Sequence, residues 1–194
     1  MNKMLIITLS IIALIGIGLL VSFKFSDIEM PEYKVLKTIG QAEIRQYPKM
    51  VVAKTALSGP SFKENSSKGF RTIAGYIFGG NDTKEKIAMT APVVMNMGDS
   101  ASMYFVMPGG YTKDRLPRPG SPEVQITEER EKTLAVIRFG GYANDKKIAD
   151  HCRELEEILR QNGITGKGNF MFMGYNAPWD ALNRRNEVAI EVVL

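Results

Sequence analysis

From Tyr33 to the C-terminus the chain writes one order of elements twice. A half that exposes one apolar sheet face cannot stand alone, so the two halves must fold against each other. In the first half, Tyr33 to Ile39 and Ala42 to Leu57 are rich in β-branched residues and flank a turn at Gly40-Gln41, which predicts strands. Ser61 and Glu64 have the spacing of a capping box, and Phe70, Ile73, Ala74 and Ile77 follow at helical spacing. Gly79-Gly80 stops that helix, and strands are expected over Ile87 to Met97 and Ser102 to Met107. In the second half, Val124 to Ile126 and Thr133 to Phe139 predict strands. Asn144 caps a helix with the stripe Ile148, Cys152, Leu155 and Leu159, ended by Asn162-Gly163. Strands over Asn169 to Tyr175 and Glu187 to Val193 close the chain. Between the halves, Pro108 to Pro122 holds four prolines and three glycines, which excludes helix and central strand. Thr90-Ala91-Pro92-Val93 matches Asn176-Ala177-Pro178-Trp179 at an offset of 86, and the same offset sets Tyr104 to Met107 on Ile190 to Val193. The expected fold is α+β: duplicated βαββ units in a distorted antiparallel eight-stranded barrel or sheet with two flanking helices.

Ahead of the repeat, Met4 to Phe23 is 20 residues without a charge, the length of a helix that crosses a bilayer core of about 30 Å. Val21-Ser22-Phe23 is a poor cleavage site, so an uncleaved transmembrane helix is expected over residues 1–25 and a tether over 26–32, with the domain at 33–194. Lys3 precedes the run and Lys24 follows it, a small bias toward a cytoplasmic N-terminus and an extracytoplasmic domain. The formal charge of +4 is spread along the chain, with no basic run of the kind that tracks nucleic acid.

Few residues offer catalysis. The single cysteine, Cys152, excludes an intramolecular disulfide and a cysteine-rich metal site, and the single histidine, His151, excludes chemistry that needs two. These two are helix neighbours whose side chains diverge by about 100°, a poor nucleophile–base pair. A solvated or hydrogen-bonded His151 is favoured over an iron ligand. Glu187 beside Arg184 and Arg185 reads as a strand-end ion pair, with a carboxylate of lowered pKa at a barrel mouth as the functional alternative. Met95 with Met97, Met103 with Met107, and Met171 with Met173 each share a strand face; they fill an irregular core or line a soft pocket.

The first helix carries Gly69 and Gly75 in its interior, where each costs about 1 kcal/mol relative to alanine. Lys68, Arg71, Thr72, Gly75 and Tyr76 lie beside or opposite its apolar stripe. A glycine on that face admits a flat molecule close to the backbone, and Lys68 and Arg71 can pair with its carboxylates. The alternative is a solvated face whose glycines serve close packing.

Four segments then carry a family resemblance: Lys86-Ile87-Ala88-Met89-Thr90-Ala91-Pro92-Val93, Phe139-Gly140-Gly141-Tyr142, Gly174-Tyr175-Asn176-Ala177-Pro178-Trp179, and Asn183-Arg184-Arg185-Asn186-Glu187-Val188. In this order, from about Tyr33 to the C-terminus, they resemble the SOUL/haem-binding protein family. The resemblance implies two βαββ halves, similar to bacterial effector-binding domains. It implies reversible binding of haem b or another tetrapyrrole in a shallow apolar groove over the first helix. Lys68 and Arg71 would face the propionates, with Thr72, Gly75 and Tyr76 on the same helix and Tyr175 to Trp179 forming a wall. The leading expectation is a non-enzymatic, membrane-tethered tetrapyrrole-binding protein. The others are a sensor or carrier of other amphipathic molecules and a hydrolase that uses Glu187.

Overall fold

The computed structural model describes residues 28–98, 100–177, 180 and 182–193. The anchor expected over residues 1–25 lies outside them; among the described residues no helix is long and apolar enough to cross a membrane.

In chain order the elements are β1 (Lys34–Ile39), β2 (Ala42–Tyr47), β3 (Met50–Ala56), α1 (Phe62–Ile77), β4 (Val93–Met97), β5 (Ser102–Val106), β6 (Gln125–Glu129), β7 (Lys132–Phe139), α2 (Asp145–Gln161), β8 (Gly166–Gly174) and β9 (Asn186–Val192). The strands form one nine-stranded sheet in the order β1-β2-β7-β9-β8-β4-β5-β3-β6, with every pairing antiparallel. Nine strands replace the eight expected because the run from Ala42 to Leu57 breaks at Pro48-Lys49. Proline has no N–H to continue a ladder, so β2 and β3 pair with different neighbours.

Without β1, the strand order is unchanged when β2, β3, β4 and β5 are exchanged with β6, β7, β8 and β9. Each half is therefore ββαββ, and its first strand is donated to the other half: β2 pairs with β7, and β6 with β3. The offset of 86 relates β5 to β9 but not β4 to β8: Thr90 to Val93 leads into β4, whereas Asn176 follows β8. The strand expected from Ile87 begins only at Val93, because Thr90 and Ala91 serve the entering tether through a bridge and a hydrogen bond to Glu29.

Both helices pack on one face. Ile148, Leu155 and Leu159 of α2 meet Ile44, Ile137, Val188 and Ile190, while Ile73, Tyr76 and Ile77 of α1 meet Ala53, Met103 and Phe105. The opposite face is concave. Tyr47 of β2 and Val52 of β3 share one buried cluster with Leu134, Met171 and Met173, although five strands lie between β2 and β3 in the sheet. A flat sheet would hold them about 29 Å apart, so the sheet is curled into a half-barrel.

The α1 glycines have separate physical reasons. A Cβ on Gly69 would stand 2.7 Å from Cδ2 of Leu57 and 3.2 Å from Sδ of Met103, so Gly69 permits close packing of helix on sheet. A Cβ on Gly75 would meet nothing within 4 Å. Gly69→Val is therefore expected to destabilise the domain by about 1–3 kcal/mol through overpacking. Gly75→Ala should stabilise it by about 0.5–1 kcal/mol. Thermal unfolding of the two variants beside wild type reads both signs.

Candidate functional site

The two helices start at one point. Asp145, in the first turn of α2, accepts the N–H groups of Phe62 (2.7 Å) and Lys63 (3.2 Å) from the first turn of α1. Ser61 Oγ accepts from the Glu64 N–H at 3.4 Å and Asn144 Oδ1 from the Lys147 N–H at 2.9 Å, so helix-end donors that would otherwise lack partners are met. Beside this junction opens a groove of about 470 Å³, between α1, the outer face of β4, β5 and β8, and the loops after β7 and β8. Its body is apolar: Phe62, Phe70, Val93, Met95, Met103 and Phe172. Edge-on contact of Phe62 with Phe172 (4.9 Å) and tilted packing of Phe70 on Phe105 (5.3 Å) fix two of these rings.

Two guanidinium groups, of Arg71 and Arg184, reach the groove lining. Arg71 is exposed on α1. Arg184 comes from the loop after β8; its Nη1 donates to the carbonyls of Ala177 (2.9 Å) and Asp180 (2.6 Å), and its plane lies 4.6 Å over the Tyr142 ring. Its Nε is buried with no hydrogen-bond partner among the described residues. An orphaned buried donor costs about 1–3 kcal/mol.

The candidate residues read from sequence divide at this groove. Arg71 lines it, but Lys68, Thr72, Gly75, Tyr76 and Tyr175 do not. Lys68 is exposed, and Thr72 Oγ1 donates to the Lys68 carbonyl of its own helix (3.1 Å). Tyr76 is 2% exposed and donates to the Pro117 carbonyl (3.0 Å), so it belongs to the core. Tyr175 turns to the other face, where its hydroxyl donates to Glu187 (2.7 Å). Trp179 lies outside the described residues. His151 is not in the groove: its ring stacks on Phe139 at 4.4 Å, and Nδ1 is 2.9 Å from Glu154. Burial pushes the Cys152 thiol up to about 11, which leaves it protonated and unreactive. Sequence reasoning missed Arg184 as a groove residue because it was read as a partner of Glu187. It also missed Phe62, Phe70 and Phe172, whose apolar character is equally that of core residues.

Glu187 is fully buried, at 0% exposure, on the concave face. Its carboxylate accepts from Arg45 (2.9 and 3.3 Å), from Arg185 (2.8 and 3.0 Å) and from Tyr175. Burial works to raise its pKa, but the Arg45 hydrogen bonds and charge, with Tyr175 and Arg185, outweigh it and hold the carboxyl below the usual range. The expected ion pair to Arg185 exists, Arg184 takes no part, and Arg45, 142 residues away, is the second partner.

The fold and the groove define a class: an α+β half-barrel with an apolar cleft rimmed by arginines. The chain belongs to the SOUL heme-binding protein family, whose model matches residues 28–191. It is 30% identical to heme-binding protein 2 of Mus musculus over 174 residues, covering 83% of this chain and 84% of that one. It is 29% identical to heme-binding protein 1 of Xenopus laevis, covering 75% of this chain and 80% of that one. Among solved structures, the C-terminal domain of EcmrR has a TM-score of 0.60 at 13% identity, covering 79% of this chain and 97% of that one. A hydrolase from Listeria innocua has a TM-score of 0.54 at 9% identity, covering 89% and 96%. These last two share the fold alone.

The Glu187 cluster contributes to the acid stability of the domain. Its folded pKa lies below the unfolded value of about 4.3, so its contribution is complete above that pH and is lost as pH falls below it. Melting temperature should drop steeply in wild type from pH 5 toward pH 3, and less steeply in Glu187→Gln. At pH 7, Glu187→Gln leaves two arginines short of a buried counter-charge and should cost about 3–5 kcal/mol.

Proposed function

We propose that this chain is a membrane-tethered, non-enzymatic protein that binds haem b or a related tetrapyrrole reversibly in the groove beside α1. One observation carries the reading. The four motifs that bear the family resemblance are scattered over about a hundred residues, yet all contribute to this lining: Val93 from the first, Tyr142 from the second, Gly174 and Asn176 from the third, Arg184 and Asn186 from the fourth. The names of the relatives agree with it.

The groove suits such a ligand. Its volume falls within the usual range for small-molecule sites, roughly 300–1,000 Å³. Phe62, Phe70, Val93, Met95, Met103 and Phe172 would hold the apolar macrocycle, while the guanidinium groups of Arg71 and Arg184 would take its carboxylates. None of the described lining residues is a histidine; apolar contact and charge pairing support the affinity. Bound haem would bring a redox-active iron; the residues around it are suited to holding it rather than to proton transfer. Glu187, engaged by two arginines and a tyrosine, supports a structural role for that carboxylate. The tether rests on the uncharged run from Met4 to Phe23, whose length matches a bilayer core.

Haem titration of the detergent-solubilised full chain, followed by absorbance, tests the binding. Wild type should saturate. Arg71→Ala and Arg184→Ala should each weaken binding about tenfold, the loss of one charge-assisted hydrogen bond of about 1.5 kcal/mol. Lys68→Ala, outside the groove, should match wild type. Absorbance that rises without saturation, or equal loss in all three variants, would remove the groove as the site.

A further inference from the structure

Few of the groups that line the groove can bind a metal. Met95 and Met103 carry thioethers, but they are 1% and 3% exposed, and Sδ of Met103 lies under α1, 3.2 Å from where a Cβ on Gly69 would stand. The side-chain amides are already engaged. Asn176 Oδ1 accepts the Arg185 N–H at 2.6 Å, and Asn186 Nδ2 donates to the Gly141 carbonyl at 2.7 Å. Ser66 and Ser67 offer neutral hydroxyls. That leaves the Tyr142 phenol, the one oxygen of the described lining residues that can become an anion.

Tyr142 is held in position from several sides. The Gly140 carbonyl accepts from Lys147 Nζ (3.4 Å), and the Gly141 carbonyl accepts from Asn186. Gly141 has a φ of +74°, a left-handed conformation that suits glycine and turns the chain just before Tyr142. Two residues later Asn144 caps α2, and the Arg184 guanidinium lies 4.6 Å from the centre of the Tyr142 ring. The side chain is nevertheless 57% exposed, so it stands open to a ligand. Other phenols serve the protein itself: the Tyr47 hydroxyl accepts from Arg45, and those of Tyr76 and Tyr175 donate to the Pro117 carbonyl and to Glu187.

We propose that Tyr142 is an axial ligand to the iron of a ferric tetrapyrrole, so that the groove selects ferric haem over ferrous haem and over the metal-free macrocycle. The proposal rests on the tetrapyrrole-binding reading above. Ferric iron is a hard cation that takes an anionic oxygen, and tyrosine is among the side chains that hold haem iron in proteins. As Tyr142 binds, its hydroxyl gives the proton to water and an oxygen lone pair to the iron; no electron is transferred. The Arg184 cation on the ring face then offsets the charge of the phenolate. Ferrous iron carries one charge less, and its attraction for a phenolate falls accordingly. A metal-free ring keeps only the apolar contacts and the carboxylate pairs.

The test compares three ligands on the detergent-solubilised full chain: ferric haem, dithionite-reduced haem without oxygen, and metal-free protoporphyrin IX. Absorbance follows the first two and porphyrin fluorescence the third. Wild type should bind ferric haem severalfold more tightly than either of the others and show a phenolate-to-iron charge-transfer band. Tyr142→Phe keeps the ring that Arg184 packs on. It should bind protoporphyrin IX as wild type does, lose the band, and bind ferric haem severalfold more weakly. Tyr111→Phe is the control: that hydroxyl donates to Glu85, away from the groove lining, and the variant should match wild type throughout. Ferric binding and a spectrum unchanged in Tyr142→Phe would overturn the iron ligand and leave the groove standing. Loss of the band in Tyr111→Phe, or equal affinity of wild type for ferric haem and protoporphyrin IX, would do the same. Failure of all three ligands to saturate wild type would instead overturn the tetrapyrrole reading itself.

Discussion

The exchange of first strands between the two halves is the constraint on which the rest of the structure depends. Because β2 completes the second half and β6 the first, neither half has its full set of strands until both are present. The exchange also curls the sheet, since strands that start far apart must meet across the concave face. With that face filled by its own side chains, both helices are left to the outer one, and the near symmetry brings their N-termini together. The groove stands beside that meeting point, framed by loops that the symmetry places side by side.

Charge is handled differently on the two faces. Near Glu187 the charges are answered: two guanidinium groups and a phenol surround its carboxylate, Glu43 takes the other side of Arg45, and the cluster ties β2 to β9 across β7. Removing one partner there leaves uncompensated buried charge, so the cluster is a stability device. In the groove the balance is left open. Arg184 is held by two carbonyls and an aromatic ring, yet its Nε has no partner among the described residues, and Arg71 stands exposed on the helix. A structural network satisfies itself, whereas a binding site keeps a donor in reserve for its ligand.

Glycine shows the same division within one helix. Gly69 lets α1 approach Leu57 and Met103 closely enough for Phe70 and Met103 to form a continuous apolar wall. Gly75 faces open space, and no neighbour requires it. Both looked alike as helix-weakening residues, and only the packing around them separates the two.

The sequence by itself determined the α+β class, both helices with their caps, most strand positions and the family. All of these follow from local periodicity, capping chemistry and motif order, which act over a few residues. Tertiary structure alone decided the ninth strand, since Pro48 ends one strand and lets the next join a different partner. It also decided that Tyr76 is core rather than groove, because a helix face is assigned only once the sheet beneath it has a shape. The pairing of Glu187 with Arg45 spans 142 residues, and no local pattern encodes it. That Arg184 joins Arg71 in the groove lining, while Lys68 does not, has the same origin. A binding groove is a property of surfaces brought together in space, and a sequence names its residues without saying which of them will meet.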